Sequence, residues 1–198
     1  SGLTSKLLSA NSLDFKLWKG LTFKSSYNID LTTIEEHNFI DPRTREGAKE
    51  NGSVTSMTGK LTNFQTEQVF SYSDVFNEIH RLSAVAGFSY RHQKYERHGA
   101  TGTGVSDPSL HLLGTTAVAK AVDGTFSEWK MASFFARVNY TLMDRYILTA
   151  TVRRDGSSRF GINNKWGIFP SVSAAWRIIE ESFMAPTKDW LSDLKLRA

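Results

Sequence analysis

An alternation of apolar and polar residues with a period of two is the feature that most constrains this chain. From Leu21 to Leu31 the odd positions are apolar or aromatic except Ser25, and the even positions are Thr, Lys, Ser, Asn and Asp. Similar runs cover residues 80–91, 132–142, 146–153 and 171–177. Successive side chains of a β-strand point to opposite faces, so each run predicts a strand with one apolar and one polar face.

Shorter or less regular runs complete the count of strands. Residues 13–17 predict a first strand, residues 58–72 predict a less regular one, and residues 194–197 predict the start of an eighth. The sequence therefore predicts an all-β fold, an antiparallel meander of about seven to eight long strands.

The connections between the predicted strands alternate between short and long. They fall at residues 18–20, 35–56, 73–79, 98–128, 143–145, 155–166 and 180–192. Short turns at one end and long loops at the other are typical of outer-membrane β-barrels. Tyrosine and tryptophan lie close to the short turns, as an aromatic girdle would require, at Trp18, Tyr72, Tyr140, Tyr146 and Trp176.

Composition excludes several other classes of protein. The chain contains no Cys, which removes disulfide scaffolds, thiol enzymes and Cys-ligated zinc sites. No stretch approaches the roughly 20 apolar residues of a transmembrane helix, and residues 1–13 lack the features of a signal peptide. The net charge of +4 is only a weak hint of an anionic partner.

Several segments resemble one family of membrane proteins. The segments RRDGSSRFG, KWGIFPSVSAAWRI and WLSDLKLRA, which occur in this order in the last third of the chain, resemble the barrel of the SusC/RagA family of TonB-dependent outer-membrane transporters. The upstream segments WKGLTFKSSYNID, LSAVAGFSYR and FFARVNYTLMDRYILTATVRRDG are also similar to this family.

The resemblance implies that residues 1–198 are a partial transmembrane β-barrel, which in the complete transporters has 22 strands. We expect no plug domain, TonB-contact motif or signal peptide within them. The whole protein is expected to be an active transporter of the bacterial outer membrane, not an enzyme, importing glycans or peptides with energy from TonB. The expected partners are a SusD-like surface lipoprotein, the TonB complex through the absent plug, outer-membrane lipid, and an oligosaccharide or peptide substrate. No cofactor, metal or nucleic acid is expected.

Two alternatives from other classes stay open at this point. One is a small, complete outer-membrane β-barrel with an adhesin or structural role. The other is a soluble β-sandwich or lipocalin-like binding module, which the alternating connection lengths disfavour.

Two groups of residues are candidates for contacts during transport. The lumen-lining candidates carry polar side chains on the polar strand faces, at Lys24, Asn28, Asp30, Arg137, Asn139, Arg153 and Arg177. A ladder of cross-strand hydrogen bonds and charge pairs is the competing role for this group. The second group is expected in the long extracellular loops, where aromatic rings stack on sugars and Arg binds carboxylates, at Phe126, Trp129, Arg159, Phe160 and Trp166.

No catalytic constellation or metal site is predicted. His92 and His98 flank the start of a predicted loop, and neither has a carboxylate or a second His at ligand spacing. The glycines of residues 99–104 predict a flexible loop, and Asp155 with Gly156 predicts a turn.

Overall fold

The computed structural model of the chain describes residues 1–161, 165–187 and 189–198. The described strands form one eight-stranded sheet in which each strand pairs with the next along the chain, which confirms the predicted all-β meander. The strands are β1 (Gly2–Trp18), β2 (Leu21–Ile40), β3 (Ser53–Phe76), β4 (His80–Val105), β5 (Thr116–Leu142), β6 (Tyr146–Ser157), β7 (Trp166–Arg177) and β8 (Lys195–Arg197).

Contacts between residues divide the chain into two compact units, and each strand from β1 to β5 contributes to both. The first unit contains Ser1–Ala10, Asn28–Phe64 and His92–Trp129, and therefore the long connections after β2 and β4. The second unit contains Asn11–Tyr27, Gln65–Arg91 and Lys130–Ala198, and therefore the short turns after β1, β3 and β5.

Two of the short turns of the second unit have the geometry that a twisted hairpin requires. Met143 and Asp144 have left-handed φ angles of 53° and 56°, and the amide of Arg145 donates to the carbonyl of Leu142 at 3.0 Å. Two consecutive positive φ angles define a type I′ turn, whose twist matches that of the flanking strands. A second left-handed pair occurs at residues 77–78.

The register of β5, β6 and β7 separates an apolar face from a polar face. Ala136 is opposite Val152, and Val152 is opposite Pro170. The same face carries Phe134, Val138, Tyr140, Leu148, Ala150, Ile168, Val172, Ala174 and Trp176. The other face carries Ser133, Arg137, Asn139, Thr149, Thr151, Arg153, Asp155, Ser171 and Ser173, together with the apolar residues Phe135, Ile147 and Phe169. We call these two surfaces the apolar face and the polar face.

The apolar face is not covered by other parts of the described chain. The solvent-accessible surface is 13630 Å², whereas a compact folded monomer of this size exposes about 9,400 Å². Among the described residues, the buried apolar side chains are Val54, Val105 and Ile179. In the same residues, no helix is both long and apolar enough to cross a bilayer.

The strands extend farther than the sequence predicts. The predicted connections at residues 35–56 and 98–128 are wrong in extent, because the observed ones cover only residues 41–52 and 106–115. In the extra residues of β2, both faces carry polar side chains, because Glu35 and Glu36 are adjacent in the sequence and are followed by His37 and Asn38. The period of two therefore loses its apolar signal there, while the backbone continues to pair.

Two glycine segments also belong to strands. Gly156 lies in β6 opposite Trp166, and a Cβ added to it would approach the indole ring to 2.7 Å. A Cβ on Gly102, which lies in β4, would collide with the side chain of Thr116. The predicted turn at Asp155 and Gly156 and the predicted flexible loop at residues 99–104 are therefore wrong, because these glycines permit close approach between strands.

Candidate functional site

The polar face of the second unit brings three of the predicted lumen-lining residues together. Arg137, Asn139 and Arg153 lie on this face because each is paired in register with a polar-face partner. The Thr149 hydroxyl on β6 donates to Asn139 Oδ1 at 2.9 Å. This cross-strand hydrogen bond fixes the amide of Asn139 against the neighbouring strand.

Arg153 is held by contacts on both of its sides. Its Nε donates to Asp155 Oδ1 at 2.8 Å, and its guanidinium lies 5.7 Å from the ring centroid of Phe135 on β5. Arg153 also borders a groove of about 210 Å³ whose lining includes Glu67, Arg91 and Ser133. The groove is lined by charges whose positions are set by regular strands.

Arg177 marks the end of the polar face at the short turns. Its guanidinium donates to the backbone carbonyl of Asp144 at 3.3 Å and to Glu180 Oε1 at 3.2 Å. These bonds tie the end of β7 to the turn between β5 and β6.

The remaining lumen-lining candidates occupy even positions of β2. Lys24 is exposed and belongs to the second unit, whereas Asn28 and Asp30 are partly buried and belong to the first. Asp30 lies 3.5 Å from Lys6 Nζ on β1 and accepts a hydrogen bond from the hydroxyl of Thr32. The charge of Asp30 is therefore paired with a nearby side chain, as is the charge of Arg153.

The second predicted group does not lie together in loops. Phe126 and Trp129 lie in β5, so their placement in a long loop is wrong. Phe126 is exposed, and Lys94 Nζ lies 5.6 Å from its ring centroid. Arg159 and Phe160 do lie in the connection between β6 and β7, and both are exposed.

Trp166 is the first residue of β7 and lies on the apolar face. Its pairing with Gly156 sets this orientation, and its ring centroid lies 6.2 Å from that of Phe134. The guanidinium of Arg154 lies 4.9 Å from the centroid of Trp166. The predicted position of Trp166 in a long loop is therefore wrong, because the strand begins earlier than the apolar alternation indicates.

Aromatic residues mark both ends of the apolar face on β7. Trp176 stacks with Tyr146 at 6.4 Å near the short turns, and Trp166 lies ten residues away at the other end. Ten strand residues span about 33 Å, or about 25 Å across a bilayer when the strand is tilted by about 40°. This spacing matches the apolar band of an outer-membrane barrel, about 25 Å tall.

A buried carboxylate joins three segments at the turn end of the second unit. Glu181 accepts hydrogen bonds from the Tyr146 hydroxyl at 2.7 Å, Trp176 Nε1 at 3.1 Å and the Arg145 guanidinium at 3.0 Å. These partners, with the hydrogen bond from Tyr146 as the largest cause, lower the pKa of Glu181. We call this cluster the Glu181 clamp. The sequence offers no periodic signal for it, because Glu181 follows the last apolar alternation.

The connections of the first unit form an open groove of about 600 Å³. His111 stacks on Phe39 with ring centroids 3.9 Å apart, and Asp41 also borders the groove. Arg43 Nε donates to Asp41 Oδ1 at 2.9 Å, and this hydrogen bond is the largest cause lowering the pKa of Asp41 to about 2. Phe39 and His111 are far apart in sequence, so no spacing rule could have paired them.

His92 has a carboxylate partner that sequence spacing does not reveal. Its Nε2 lies 2.7 Å from Glu128 Oε1 on the adjacent strand β5. Sequence spacing could not show this pair, because 36 residues separate its two members. Even so, no group of three or more potential metal ligands occurs in the part of the chain that the structure describes.

A sheet with one apolar, aromatic-bordered face and one ion-paired face defines part of the wall of a membrane-spanning β-barrel. The family model described as "TonB dependent receptor-like, beta-barrel" matches residues 2–198, so the chain belongs to that family. Members of this family are transporters of the outer membrane and not enzymes. The predicted family and outer-membrane localisation are confirmed.

Individual relatives agree with this assignment. The chain is 33% identical over 201 residues to TonB-dependent receptor P39 of Formosa agariphila, covering 95% of this chain and 18% of the relative. It is 52% identical over 67 residues to TonB-dependent receptor SusC of Bacteroides thetaiotaomicron, covering 34% of this chain and 7% of SusC.

Solved structures show the same fold. The RagAB peptide transporter matches 97% of this chain and 22% of its own chain, with a TM-score of 0.82 and 25% identity. The RagAB peptide importer in its closed-closed state matches 99% of this chain and 22% of its own, with a TM-score of 0.86 and 24% identity. The chain thus spans about a fifth of the length of the P39 receptor and of the RagAB chain. A small complete barrel and a soluble sandwich are both disfavoured.

Proposed function

We propose that the protein containing this chain is an active importer of the bacterial outer membrane, and that residues 1–198 form part of its barrel wall. The observation that carries this proposal is the register of β5 to β7, which separates an apolar face from an ion-paired polar face. The family match supports transport powered through TonB. On this proposal the plug domain lies elsewhere in a longer protein.

The polar face is proposed to border the lumen. Transport requires a wet wall that holds a substrate only weakly, and polar side chains satisfied by their neighbours provide such a wall. Arg153 and Asp30 are already paired, and Asn139 already accepts a hydrogen bond. We therefore assign these side chains to the hydrated wall and expect Lys24, Asn28, Arg137 and Arg177 to border the same lumen.

The substrate is proposed to be a glycan or a peptide. The RagAB relative is described as a peptide transporter, which favours peptides, while the match to SusC extends over 67 residues. A surface lipoprotein of the SusD type is the proposed partner at the extracellular side. Phe126, Trp129, Arg159 and Phe160 are the proposed contacts with substrate or lipoprotein, and Trp166 is assigned instead to the lipid interface.

Uptake by the source bacterium tests this function. Strains lacking either the gene for this protein or tonB should lose accumulation of a fluorescently labelled peptide or oligosaccharide mixture, and plasmid-borne wild-type genes should restore it. Comparing the peptide mixture with the oligosaccharide mixture identifies the substrate class. Equal accumulation in wild-type and both deletion strains would refute the proposal.

A further inference from the structure

A small pocket of about 320 Å³ lies within the first unit, on three neighbouring strands. Each strand contributes residues two positions apart, which therefore share one face. The lining residues are Ile34, Glu36, Met57, Gly59, Tyr95 and Arg97. Glu36 follows Asp30 by six residues on β2, so the pocket lies on the strand face assigned above to the lumen.

We propose that this pocket binds a substrate carboxylate through Arg97, with an adjacent apolar ring or side chain of the substrate packed on Tyr95. The inference deepens the proposed function and rests on it, because it assigns a substrate class to the lumen wall. The carboxylate of the ligand has two possible sources: the terminus of a short peptide or a uronic-acid sugar.

Arg97 carries the argument because, in the described residues, its guanidinium makes no ion pair with Glu36, the acidic residue that lines the same pocket. Its guanidinium donates to Met57 Sδ at 2.8 Å, and a thioether is only a weak acceptor. Among the described residues, no carboxylate lies within ion-pair distance of Arg97, in contrast to Arg153 and Arg145. A guanidinium presents five donors in a planar fork, which matches a carboxylate.

Tyr95 and Gly59 give the pocket its shape. A Cβ added to Gly59 would lie 3.7 Å from the Tyr95 hydroxyl and 3.9 Å from its ring carbon Cε2. Tyr95 therefore packs at van der Waals distance beside a lining position that has no side chain, so a larger residue at position 59 would take up space in the pocket. An aromatic ring next to a cation suits a ligand that combines an apolar surface with a carboxylate.

Glu36 restricts which carboxylates fit. Its own negative charge disfavours a second acid group on that side of the pocket and favours a hydrogen-bond donor. A sugar hydroxyl or a peptide N–H beside the carboxylate meets this requirement. The combination selects a monoacid with a neighbouring donor over a simple polyanion.

Binding to the purified full-length protein tests the proposal. Isothermal titration calorimetry compares the tripeptide Ala-Ala-Phe with its C-terminal amide, and methyl glucuronide, which carries one carboxylate, with neutral methyl glucoside. We expect the acid of one pair to bind at least tenfold more tightly than its neutral counterpart. The preferred pair identifies whether the carboxylate comes from a peptide or from a sugar.

Variants locate the preference in the pocket. Arg97→Gln should abolish the preference for the acid, and Gly59→Leu should weaken binding of that acid by filling the pocket. Lys94→Gln is the matched control, because it removes the same charge from the opposite face of β4 and should keep the preference. Unchanged thermal unfolding of each variant shows that it is folded.

Equal binding of acid and neutral probes, or an acid preference that survives Arg97→Gln, would overturn the inference. Its failure is distinguishable from failure of the proposed function. If tonB-dependent uptake persists without an acid preference, the pocket assignment is wrong and the transporter stands. If the acid preference is present without tonB-dependent uptake, the transport proposal is wrong.

Discussion

At the scale of single residues, Gly156 shows how one missing side chain positions a ring on the apolar face. Trp166 lies directly against it, and an added Cβ would approach the ring to 2.7 Å. Replacing Gly156 with Ala should displace Trp166 and destabilise the protein by about 1–3 kcal/mol, the usual cost of overpacking. The midpoint of chemical unfolding of the full-length protein measures this cost.

The matched control for this change is Gly114→Ala. No heavy atom lies within 4 Å of a Cβ built at Gly114, so its effect should stay within about 0.5 kcal/mol. Equal unfolding midpoints for the Gly156 and Gly114 variants would contradict the claim that Trp166 packs directly on Gly156.

The low pKa of Asp41, in the connection after β2, predicts how stability depends on pH. Arg43 lowers the pKa of Asp41 from its ordinary value of 3.8 to about 2. The pKa is depressed in the folded state, so the contribution of Asp41 to stability is present above pH 3.8 and is lost as pH falls toward 2. Carboxyl-carbon NMR should show Arg43→Gln raising the pKa of Asp41 toward 3.8, and an unmoved pKa would exclude Arg43 as the cause.

At the scale of elements, the Glu181 clamp connects the turn after β5 with the adjoining ends of β6 and β7. Replacing Glu181 with Gln removes the negative charge that Arg145 and Tyr146 contact. Because the position is buried, water has little access to replace the lost hydrogen bonds. The thermal unfolding temperature should therefore fall, and more than for Glu180→Gln. The lowered pKa of Glu181 further predicts that this stabilisation is lost as pH falls below about 4.5 through the folded-state pKa.

Glu180 is the appropriate control because it neighbours Glu181 and makes a more exposed ion pair with Arg177. Exposed ion pairs contribute little to stability. A fall for Glu180→Gln that equals or exceeds that for Glu181→Gln would show that the clamp is not the dominant connection at this end.

The strand elements also show what the sequence could predict. β6 and β7 follow from the alternation of Leu148, Ala150 and Val152 with polar residues, because one face of each strand is apolar. The first half of β5 could not be predicted in this way. Around Phe126 both faces of the strand carry polar residues, so no apolar alternation marks it. Contacts between residues far apart in the sequence, such as His92 and Glu128 on neighbouring strands, could not be predicted either, because register is set by pairing and not by local spacing.

At the scale of the whole molecule, the 198-residue chain by itself leaves its apolar face and its edge strands uncovered. The sheet order runs from β1 to β8, and in the described residues these two strands are not paired with each other. Exposed strand edges pair readily with other chains. We predict that the isolated chain associates in detergent-free buffer, and light scattering that shows a stable, monodisperse monomer would contradict this.

The central claim is that the apolar face meets lipid and the polar face meets the lumen. The described chain contains no Cys, so single cysteines introduced at Thr151 and Val152, in a cysteine-free full-length protein, report the two faces directly. In intact outer membranes, a water-soluble, membrane-impermeant maleimide should label the Thr151→Cys variant and leave the Val152→Cys variant unlabelled. Labelling of Val152→Cys alone, or equal labelling of both, would contradict the account.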